Sequence, residues 1–202
     1  MPEHEKAKQY FLELNIPFLE VDNKTINDIL QTILVIGKSC GVENKSNYFV
    51  DSLNAQLKKV QLISNNLTKP KTLISIGREV GVGSIKDLYV AGLDTYFDEL
   101  INIAGGRNIL KDESIAYPTI SAEGLIHLNP EVIIDFMNSA VTTNLSKKTI
   151  LKDWESLPSL SAVANNKVTI LDSNYISIPG PRFILLLQDI AKAIHPEIDW
   201  NF

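Results

Sequence analysis

The chain contains the octapeptide Asn129-Pro130-Glu131-Val132-Ile133-Ile134-Asp135-Phe136, in which a turn leads into five mostly apolar residues. A short apolar run bounded by a turn predicts a strand that is buried on both faces. Similar runs occupy residues 72–76, 88–91 and 168–171. Helical patterns lie between these runs, and the alternation predicts an α/β fold. We expect a doubly wound, mainly parallel, Rossmann-like sheet in three layers, with helices on both faces.

Two helices of this half have recognisable ends. Thr95 is a predicted N-cap for a helix that ends at Gly105-Gly106, because threonine caps helix starts and glycine tolerates the left-handed backbone of a helix end. Gly180-Pro181 is predicted to open the last helix, since proline in the first turn forfeits no hydrogen bond. We therefore assign residues 69–202 to one carboxyl-terminal α/β lobe.

Two longer helical patterns precede this lobe. Thr25 is a predicted N-cap with Asp28 three residues later, and apolar residues then recur at helical spacing up to Gly37 and Gly41. A second helix is predicted from about residue 45 to 67, and at 1.5 Å per residue it is roughly 30 Å long. From its position we interpret residues 43–68 as a link between two lobes. A surface helix packed on a single core fits the same pattern.

The amino-terminal residues contain an apolar run that has no visible sheet partner. Residues 16–21 follow an amphipathic helix and predict a short buried strand, which needs neighbours on both sides. We interpret residues 1–42 as the remnant of a second lobe in a truncated chain, and expect self-association through the unpaired strand. Met1 leads directly into the first helix, so the pattern of an export signal is absent.

Composition excludes several classes of protein. The 202 residues are 45% hydrophobic and 21% charged, which is ordinary for a globular chain of one large domain or two small lobes. No apolar stretch approaches the ~18 residues of a membrane span. The net charge of −5, with dispersed lysines, argues against nucleic acid as a partner. The single cysteine, Cys40, excludes an internal disulfide, and its apolar neighbours predict a small buried side chain.

Four motifs in a fixed order carry a resemblance to a known family. They are Ala104-Gly105-Gly106-Arg107-Asn108, Tyr117-Pro118 with Ile120-Ser121-Ala122-Glu123, Asn129-Pro130-Glu131-Val132-Ile133-Ile134, and Pro179-Gly180-Pro181-Arg182. In this order the chain resembles the helical-backbone (class III) substrate-binding proteins of bacterial ABC importers for iron-siderophores, haem or cobalamin. The resemblance implies a protein that captures a chelate between two lobes and delivers it to a membrane permease, without covalent chemistry or a cofactor. It also implies a periplasmic or extracellular, membrane-associated location.

Ligands of open α/β sheets collect beyond the carboxyl ends of the strands, which gives the first candidate contacts. Those residues are Arg78 and Glu79, Asn138 and Ser139, and Tyr175 and Ile176. The resemblance adds two more, because relatives often place a large aromatic residue at the position of Tyr117 and some place Arg182 at the mouth of the cleft. An arginine beside a helix start would favour an anionic chelate.

Each of these side chains also has a purely structural interpretation. Tyr117 can cover the core, Arg182 can pair with Asp172 or Asp189, and Arg78 with Glu79 can form a solvated turn.

Glu123 is the candidate for a docking contact. If Ser121 is the N-cap, Glu123 stands at the second helical position and points outward, where it would also favour the helix dipole. The resemblance implies that it meets an arginine of the permease.

Enzymatic and metal sites find little support. The glycines of residues 77–83 lack the dinucleotide fingerprint, and a strand follows them. His127 and His195 stand at helix or turn boundaries, where capping or surface roles are commoner than metal ligation. We predict neither an enzyme nor a metal protein. The main alternative is a non-transport interaction module derived from the same fold.

Overall fold

The computed structural model describes residues 2–111, 115–137 and 145–200, with side chains described from residue 5. Its helices are α1 (Pro2–Glu13), α2 (Ile26–Ser39), α3 (Glu43–Ser64), α4 (Tyr96–Ile103), α5 (Ala122–Leu128), α6 (Lys147–Glu155), α7 (Ser161–Ala164) and α8 (Phe183–Ile194). Its strands are β1 (Lys71–Arg78), β2 (Asp87–Val90), β3 (Arg107–Asn108), β4 (Thr119–Ser121), β5 (Val132–Phe136) and β6 (Val168–Leu171).

One sheet organises these elements, in the order β4-β2-β1-β5-β6, with β3 paired to the start of β1. β1, β5 and β6 are parallel, and the register sets Ser75 opposite Asp135 and Phe136 opposite Leu171. β2 and β4 are antiparallel. The predicted α/β class with a mainly parallel sheet is therefore confirmed, with an antiparallel extension on one side.

Alternate residues of the central strands point to opposite faces, which produces the three layers. Ile74 and Ile134 face a cluster that also holds buried residues of α2, α3, α4 and α8. Leu73 and Ile133 face a second cluster with α5, Trp154 of α6, and α7. Both faces of the central strands are thus covered, which explains why their sequences are continuously apolar.

The predicted helix caps of Thr25, Thr95 and Ser121 are present. The Thr25 hydroxyl accepts the N–H of Asp28, whose carboxylate in turn accepts the N–H of Thr25. The hydroxyls of Thr95 and Ser121 accept the N–H groups of Asp98 and Gly124. The last helix begins later than predicted, at Phe183 with Arg182 as N-cap, so Pro181 lies before the helix rather than in its first turn.

α3 lies against the α/β unit along its length. A stripe of Val50, Leu53, Leu57 and Val60 is buried in the same cluster as α4 and α8. α2 crosses α3 closely, because Gly37 leaves room for the side chain of Ser46. α3 thus buries one stripe against the α/β unit. The predicted boundaries at residues 42 and 68, and a role of α3 as a link between lobes, stay predictions.

Two amino-terminal predictions are wrong. Residues 16–21 form neither helix nor strand and are exposed, because they pair with none of the strands of the described sheet. Cys40 is exposed rather than buried, since it follows the last residue of α2 and lies outside the buried stripe of that helix.

Gly105 carries the left-handed turn that ends α4, and its surroundings give the first testable prediction. Its φ is +84°, and a Cβ there would lie 3.0 Å from His195 Nε2 and 3.0 Å from Ser64 Cβ. Gly41 also has a left-handed φ of +68°, but a Cβ there would meet nothing within 4 Å. The two glycines therefore separate the cost of the backbone conformation from the cost of crowding.

We expect Gly41→Ala to lower the free energy of unfolding by about 1 kcal/mol, from the left-handed backbone alone. Gly105→Ala should cost about 2 to 4 kcal/mol, because the added methyl group also overpacks the contact between α3 and α8. Urea denaturation of both variants and the wild type measures the difference. Equal losses in the two variants would show that the close approach at Gly105 is unimportant.

Candidate functional site

The carboxyl ends of β1, β5 and β6 meet at one edge of the sheet. These strands run parallel and end at Arg78, Phe136 and Leu171. The residues that follow them are the candidates named from the sequence. Asn138 and Ser139 lie outside the described residues. Ile176 is buried in the core, whereas Glu79 is exposed near Lys86.

Arg78 is buried inside the protein and does not face this edge. Only 1% of its side chain is exposed. Its Nε donates to Asp135 Oδ2 at 2.9 Å and its Nη1 donates to Asp153 Oδ2 at 2.7 Å. The guanidinium carbon also lies 5.2 Å from the ring centre of Trp154, whose indole N–H donates to the same Asp135 oxygen at 2.8 Å. The guanidinium is thus engaged by the protein in place of a ligand, and it does not form the solvated turn.

Asp153 connects this buried cluster to the loop after β1. Its carboxylate oxygens accept the N–H groups of Gly81 and Gly83, each at 2.7 Å. Burial alone would raise the pKa of Asp153, but the hydrogen bonds from Arg78, Gly81 and Gly83 outweigh it and hold the pKa below its ordinary value. Burial raises the pKa of Asp135, against the opposing effect of Arg78. We call Arg78, Asp135, Asp153 and Trp154 the arginine clamp.

An aromatic group occupies the edge near the end of β5. The ring of Phe97 lies 5.3 Å from that of Phe136 and 6.4 Å from that of Tyr117, both edge to face. Phe97 and Phe136 are buried, whereas Tyr117 is 44% exposed. Partial burial raises the pKa of the Tyr117 phenol, which is therefore neutral at physiological pH. Tyr117 therefore packs on the core, as its structural interpretation predicts, and leaves part of its ring exposed to solvent. Its contact with a ligand stays a prediction.

Arg182 and Tyr175 form a second group beyond β6. Arg182 Nη1 donates to Asn174 Oδ1 at 2.8 Å, and its guanidinium lies 6.0 Å from the centre of the Tyr175 ring. The Tyr175 hydroxyl donates to Asp189 Oδ2 at 2.6 Å. Asp172 pairs instead with Lys147 at 2.9 Å. In the part of the chain that the structure describes, Arg182 has no carboxylate partner within ion-pair distance, so its charge faces solvent.

The sequence did not single out Asn174 and Phe97, which position the two exposed candidates. The signal for the role of Phe97 is the pair of adjacent aromatic residues Tyr96-Phe97 directly after the Thr95 cap. Their rings lie 5.2 Å apart, edge to face.

Glu123 is exposed at the second position of α5, as predicted. A hydrogen bond from its own N–H and one from the Ser121 hydroxyl lower its pKa, so the side chain remains a carboxylate in mild acid. It is separate from the Tyr175–Arg182 group, because α5 packs on the opposite face of the sheet from Tyr175 and α8.

The histidines do not form a common site. His127 is exposed in the last turn of α5. His195 is the C-cap of α8, as the capping alternative predicted, and its N–H donates to the Ala191 carbonyl. Its side chain is buried rather than on the surface, with 3% exposed, Nε2 3.1 Å from the Gly105 carbonyl and Nδ1 3.2 Å from Glu197. Among residues 5–111, 115–137 and 145–200, no three His, Cys, Asp or Glu side chains converge as a metal site would require.

A cavity of about 830 Å³ lies near the amino end of β1 and reaches Ile115 and Pro118 on either side of Tyr117. Its lining includes Lys71, Arg107 and His127. Since it lies at the opposite end of β1 from Arg78, it is not part of the carboxyl edge. None of the described helices combines the length and the apolar character that crossing a membrane requires.

Comparisons with known proteins give one consistent result. The family model described as "Periplasmic binding protein" matches residues 3–175. An uncharacterised ABC transporter substrate-binding lipoprotein of Bacillus subtilis is 24% identical over 176 residues, which cover 87% of this chain and 52% of that protein. A cobalamin-binding protein of Halobacterium salinarum is 28% identical over 111 residues, or 54% of this chain and 30% of the relative. The chain thus spans about half the length, or less, of these relatives.

Solved structures share the fold. A periplasmic haem-binding protein of Roseiflexus has a TM-score of 0.77 at 21% identity and covers 95% of this chain and 71% of its own. A periplasmic vitamin B12-binding protein of Vibrio cholerae has a TM-score of 0.71 at 19% identity, covering 96% and 69%.

The arginine clamp gives the second testable prediction. We expect Asp153→Asn to lower the free energy of unfolding by about 3 kcal/mol, because the buried guanidinium of Arg78 then loses one of its two carboxylate partners. As a matched control, Asp172→Asn removes an exposed carboxylate 2.9 Å from Lys147 and should cost less than about 1 kcal/mol.

The pH dependence follows from the sign of the shift. The pKa of Asp153 is lower in the folded protein, so its stabilisation is complete above the ordinary value of 3.8 and is lost as the pH falls through the folded pKa. The difference in the free energy of unfolding between the wild type and Asp153→Asn should therefore become smaller in acid. Urea denaturation at several pH values measures it, and a gap that widens toward low pH would contradict the assignment.

Proposed function

Since the chain belongs to the periplasmic binding protein family, we propose that it is the substrate-binding component of an ABC importer for a bulky metal chelate. The family consists of transport binding proteins rather than enzymes, and the prediction of a non-enzymatic protein is confirmed. The proposed ligands are an iron-siderophore, haem or a cobalamin-type chelate. Relatives named for haem and for cobalamin binding support this range.

Two separate observations carry the proposal, an exposed aromatic ring and an exposed cation that follow elements of the same lobe. The Tyr117 ring packs edge to face against Phe97, and part of it is exposed to solvent. Arg182 offers a guanidinium that Asn174 and Tyr175 hold and no described carboxylate neutralises. A planar or bulky chelate with carboxylate or catecholate groups would stack on the first and pair with the second. Tyr175 contributes its ring beneath Arg182, and Asn138 stays a proposed contact.

The proposed partner is the transmembrane permease of the importer, with Glu123 as a docking contact. Its exposed carboxylate keeps its charge in mild acid because its pKa is lowered. Charges at the rim of an interface set orientation and association rate more than affinity. The proposed location is the periplasm or cell exterior at the membrane, which the lipoprotein among the relatives supports.

Ligand binding gives the third testable prediction. Purified protein should bind at least one of haem, a ferric siderophore and cobalamin, measured by titration calorimetry and by quenching of tryptophan emission. Trp154 and Trp200 are each 1% exposed, so quenching should arise by energy transfer to a coloured chelate rather than by contact. The iron-free siderophore is the matched control ligand. Silence across the panel would contradict the proposal and favour an interaction module.

Arg182→Gln should weaken binding of an anionic chelate about 10-fold or more, because a charge-assisted hydrogen bond is worth about 1.5 to 3 kcal/mol. Arg107→Gln removes an exposed cation at the start of β1's partner strand and should leave the affinity unchanged. Equal effects of the two substitutions would indicate a general effect of net charge instead of a contact at the edge.

The docking contact gives the fourth prediction. Glu123→Gln should slow association of the ligand-loaded protein with permease in lipid nanodiscs, and raised salt should slow the wild type similarly. Glu155→Gln, another exposed glutamate, is the control. Unchanged association of Glu123→Gln would remove Glu123 from the interface.

A further inference from the structure

We propose that Asp135 of the arginine clamp is a buried proton-binding site, which takes up a proton from solvent on Oδ1 in mild acid and thereby balances the charge of the clamp. The side chains of Asp135, Arg78 and Asp153 are at most 1% exposed. Because these groups are buried, their surroundings are set by the interior of the α/β unit. The proposal does not depend on the proposed function.

The two carboxyl oxygens of Asp135 have unequal surroundings. Oδ2 accepts from Arg78 Nε at 2.9 Å and from the Trp154 indole N–H at 2.8 Å, and Arg78 Nη2 also lies 2.9 Å from it. Oδ1 is buried, and no described group forms a hydrogen bond with it. This is the pattern of a carboxylic acid, in which one oxygen only accepts and the other carries a proton to donate, whereas a carboxylate accepts at both oxygens.

The hydroxyl of Ser75 is positioned to accept this proton. Ser75 and Asp135 are register partners in the parallel pair of β1 and β5, so their side chains project from the same face of the sheet. Ser75 Oγ is also buried, and it too has no hydrogen-bond partner among the described groups. Two unpaired polar atoms in the interior are costly, and a proton on Oδ1 that is donated to Ser75 Oγ satisfies both of them.

Asp153 differs from Asp135, because both of its oxygens accept hydrogen bonds. Oδ2 accepts from Arg78 and from the N–H of Gly81, and Oδ1 accepts from the N–H of Gly83, each at 2.7 Å. A proton on either oxygen would face a donor, so Asp153 remains the anionic partner of Arg78. One guanidinium and two carboxylates carry one excess negative charge, and the proton on Asp135 removes it.

The pKa shifts of the two carboxyl groups agree with this order of protonation. Burial raises the pKa of Asp135, and the guanidinium of Arg78 offsets this effect only in part. Burial alone would raise the pKa of Asp153 as well, but its hydrogen bonds lower it. In the part of the chain that the structure describes, Arg78 is the charged group that acts on both, since β6 sets Ile170 opposite Asp135 and α6 contributes the uncharged Trp154.

Proton uptake at Asp135 also affects the loop after β1. Once Asp135 is neutral, it no longer competes with Asp153 as a second anion for the guanidinium of Arg78. Asp153 continues to accept the N–H groups of Gly81 and Gly83, which hold the loop to α6. The clamp should therefore keep the carboxyl end of β1 and its loop in place as the pH falls, until Asp153 itself is protonated.

Asp135→Asn is the first test, because asparagine reproduces the hydrogen-bond pattern of the protonated acid. Its carbonyl oxygen can accept from Arg78 and Trp154 while its NH₂ group donates to Ser75 Oγ. Asp153→Asn is the matched variant, since an NH₂ group at that position would face an N–H donor on either side. We expect Asp135→Asn to lower the urea midpoint at neutral pH by less than Asp153→Asn does. An equal or larger loss in Asp135→Asn would overturn the proposal.

The pH dependence of stability is the second test. The pKa of Asp135 is raised in the folded protein, so its buried charge destabilises the fold above the folded pKa, and this penalty disappears as the pH falls to the ordinary value of 3.8. The urea midpoint of the wild type, relative to that of Asp135→Asn, should therefore rise as the pH falls from neutral to 3.8. A relative fall of the wild type over this range would overturn the proposal.

Carbon NMR of the side-chain carboxyl groups tests the wild type directly and requires no variant to fold. The carboxyl carbon of Asp135 should titrate above 3.8 and that of Asp153 below it. A signal of Asp135 that titrates at or below 3.8 would overturn the proposal.

Hydrogen exchange, corrected for the intrinsic rate at each pH, tests the effect on the loop. The amides of Gly81 and Gly83 should keep their protection from neutral pH down to 3.8. A loss of their protection within this range would overturn the proposal, because protonation of Asp135 would then release the loop. Chelate binding enters none of these measurements, so its failure would count against the proposed function alone.

Discussion

Arg78 joins β1, β5 and α6 through one guanidinium that is buried together with both of its carboxylate partners. Two carboxylates and one cation leave an excess of negative charge in the interior, where it would be costly without further donors. The clamp supplies those donors as the indole N–H of Trp154 to Asp135 and the N–H groups of Gly81 and Gly83 to Asp153. A buried pair of this kind adds little net stability over an apolar replacement, but it tolerates only one arrangement of its members. It therefore fixes the register of the strand ends and the course of the loop after β1.

That constraint determines which residues at the carboxyl edge remain free for a ligand. Because Arg78 is bound within the clamp, Arg182 is the candidate cation at this edge that remains exposed, and among the described residues no carboxylate pairs with it. Asp189 accepts from Tyr175 and Asp172 accepts from Lys147, so neither neutralises it. The exposed ring of Tyr117 depends in the same way on Phe97, which is held between α4 and the end of β5. Arg182 and Tyr117 are thus each the solvent-exposed member of a packed group of side chains.

Much of the fold could be predicted because its signals are local. The strands at 132–136 and 168–171 and the caps at Thr25, Thr95 and Ser121 follow from short patterns that leave one conformation. The wrong predictions concern residues whose structure depends on distant partners, and no local sequence pattern identifies those partners. Residues 16–21 have the composition of a strand, yet a strand exists only beside another. The clamp did leave a sign, since Asp135 interrupts an otherwise apolar buried strand and therefore requires a buried donor. The second carboxylate of the clamp belongs to Asp153, which lies 18 positions after Asp135 in the amphipathic helix α6. Only the packing of α6 brings it to Arg78.

The carboxyl edge as described is an open surface, and this limits how tightly it can hold a chelate alone. Tight sites enclose about 70 to 90% of a ligand's surface, whereas Tyr117 and Arg182 would contact the proposed ligand from one side only. Lost translational and rotational freedom opposes binding by several kcal/mol whatever the number of contacts. One-sided contact therefore favours weak binding, and closure by a second surface would convert the same contacts into high affinity without changing them. α2 and α3 pack on the face of the sheet that α4 and α8 cover, and Glu123 lies on the opposite face. This arrangement leaves the edge accessible to such a surface. Affinity at this site should consequently depend more on what closes over the edge than on any further substitution within it.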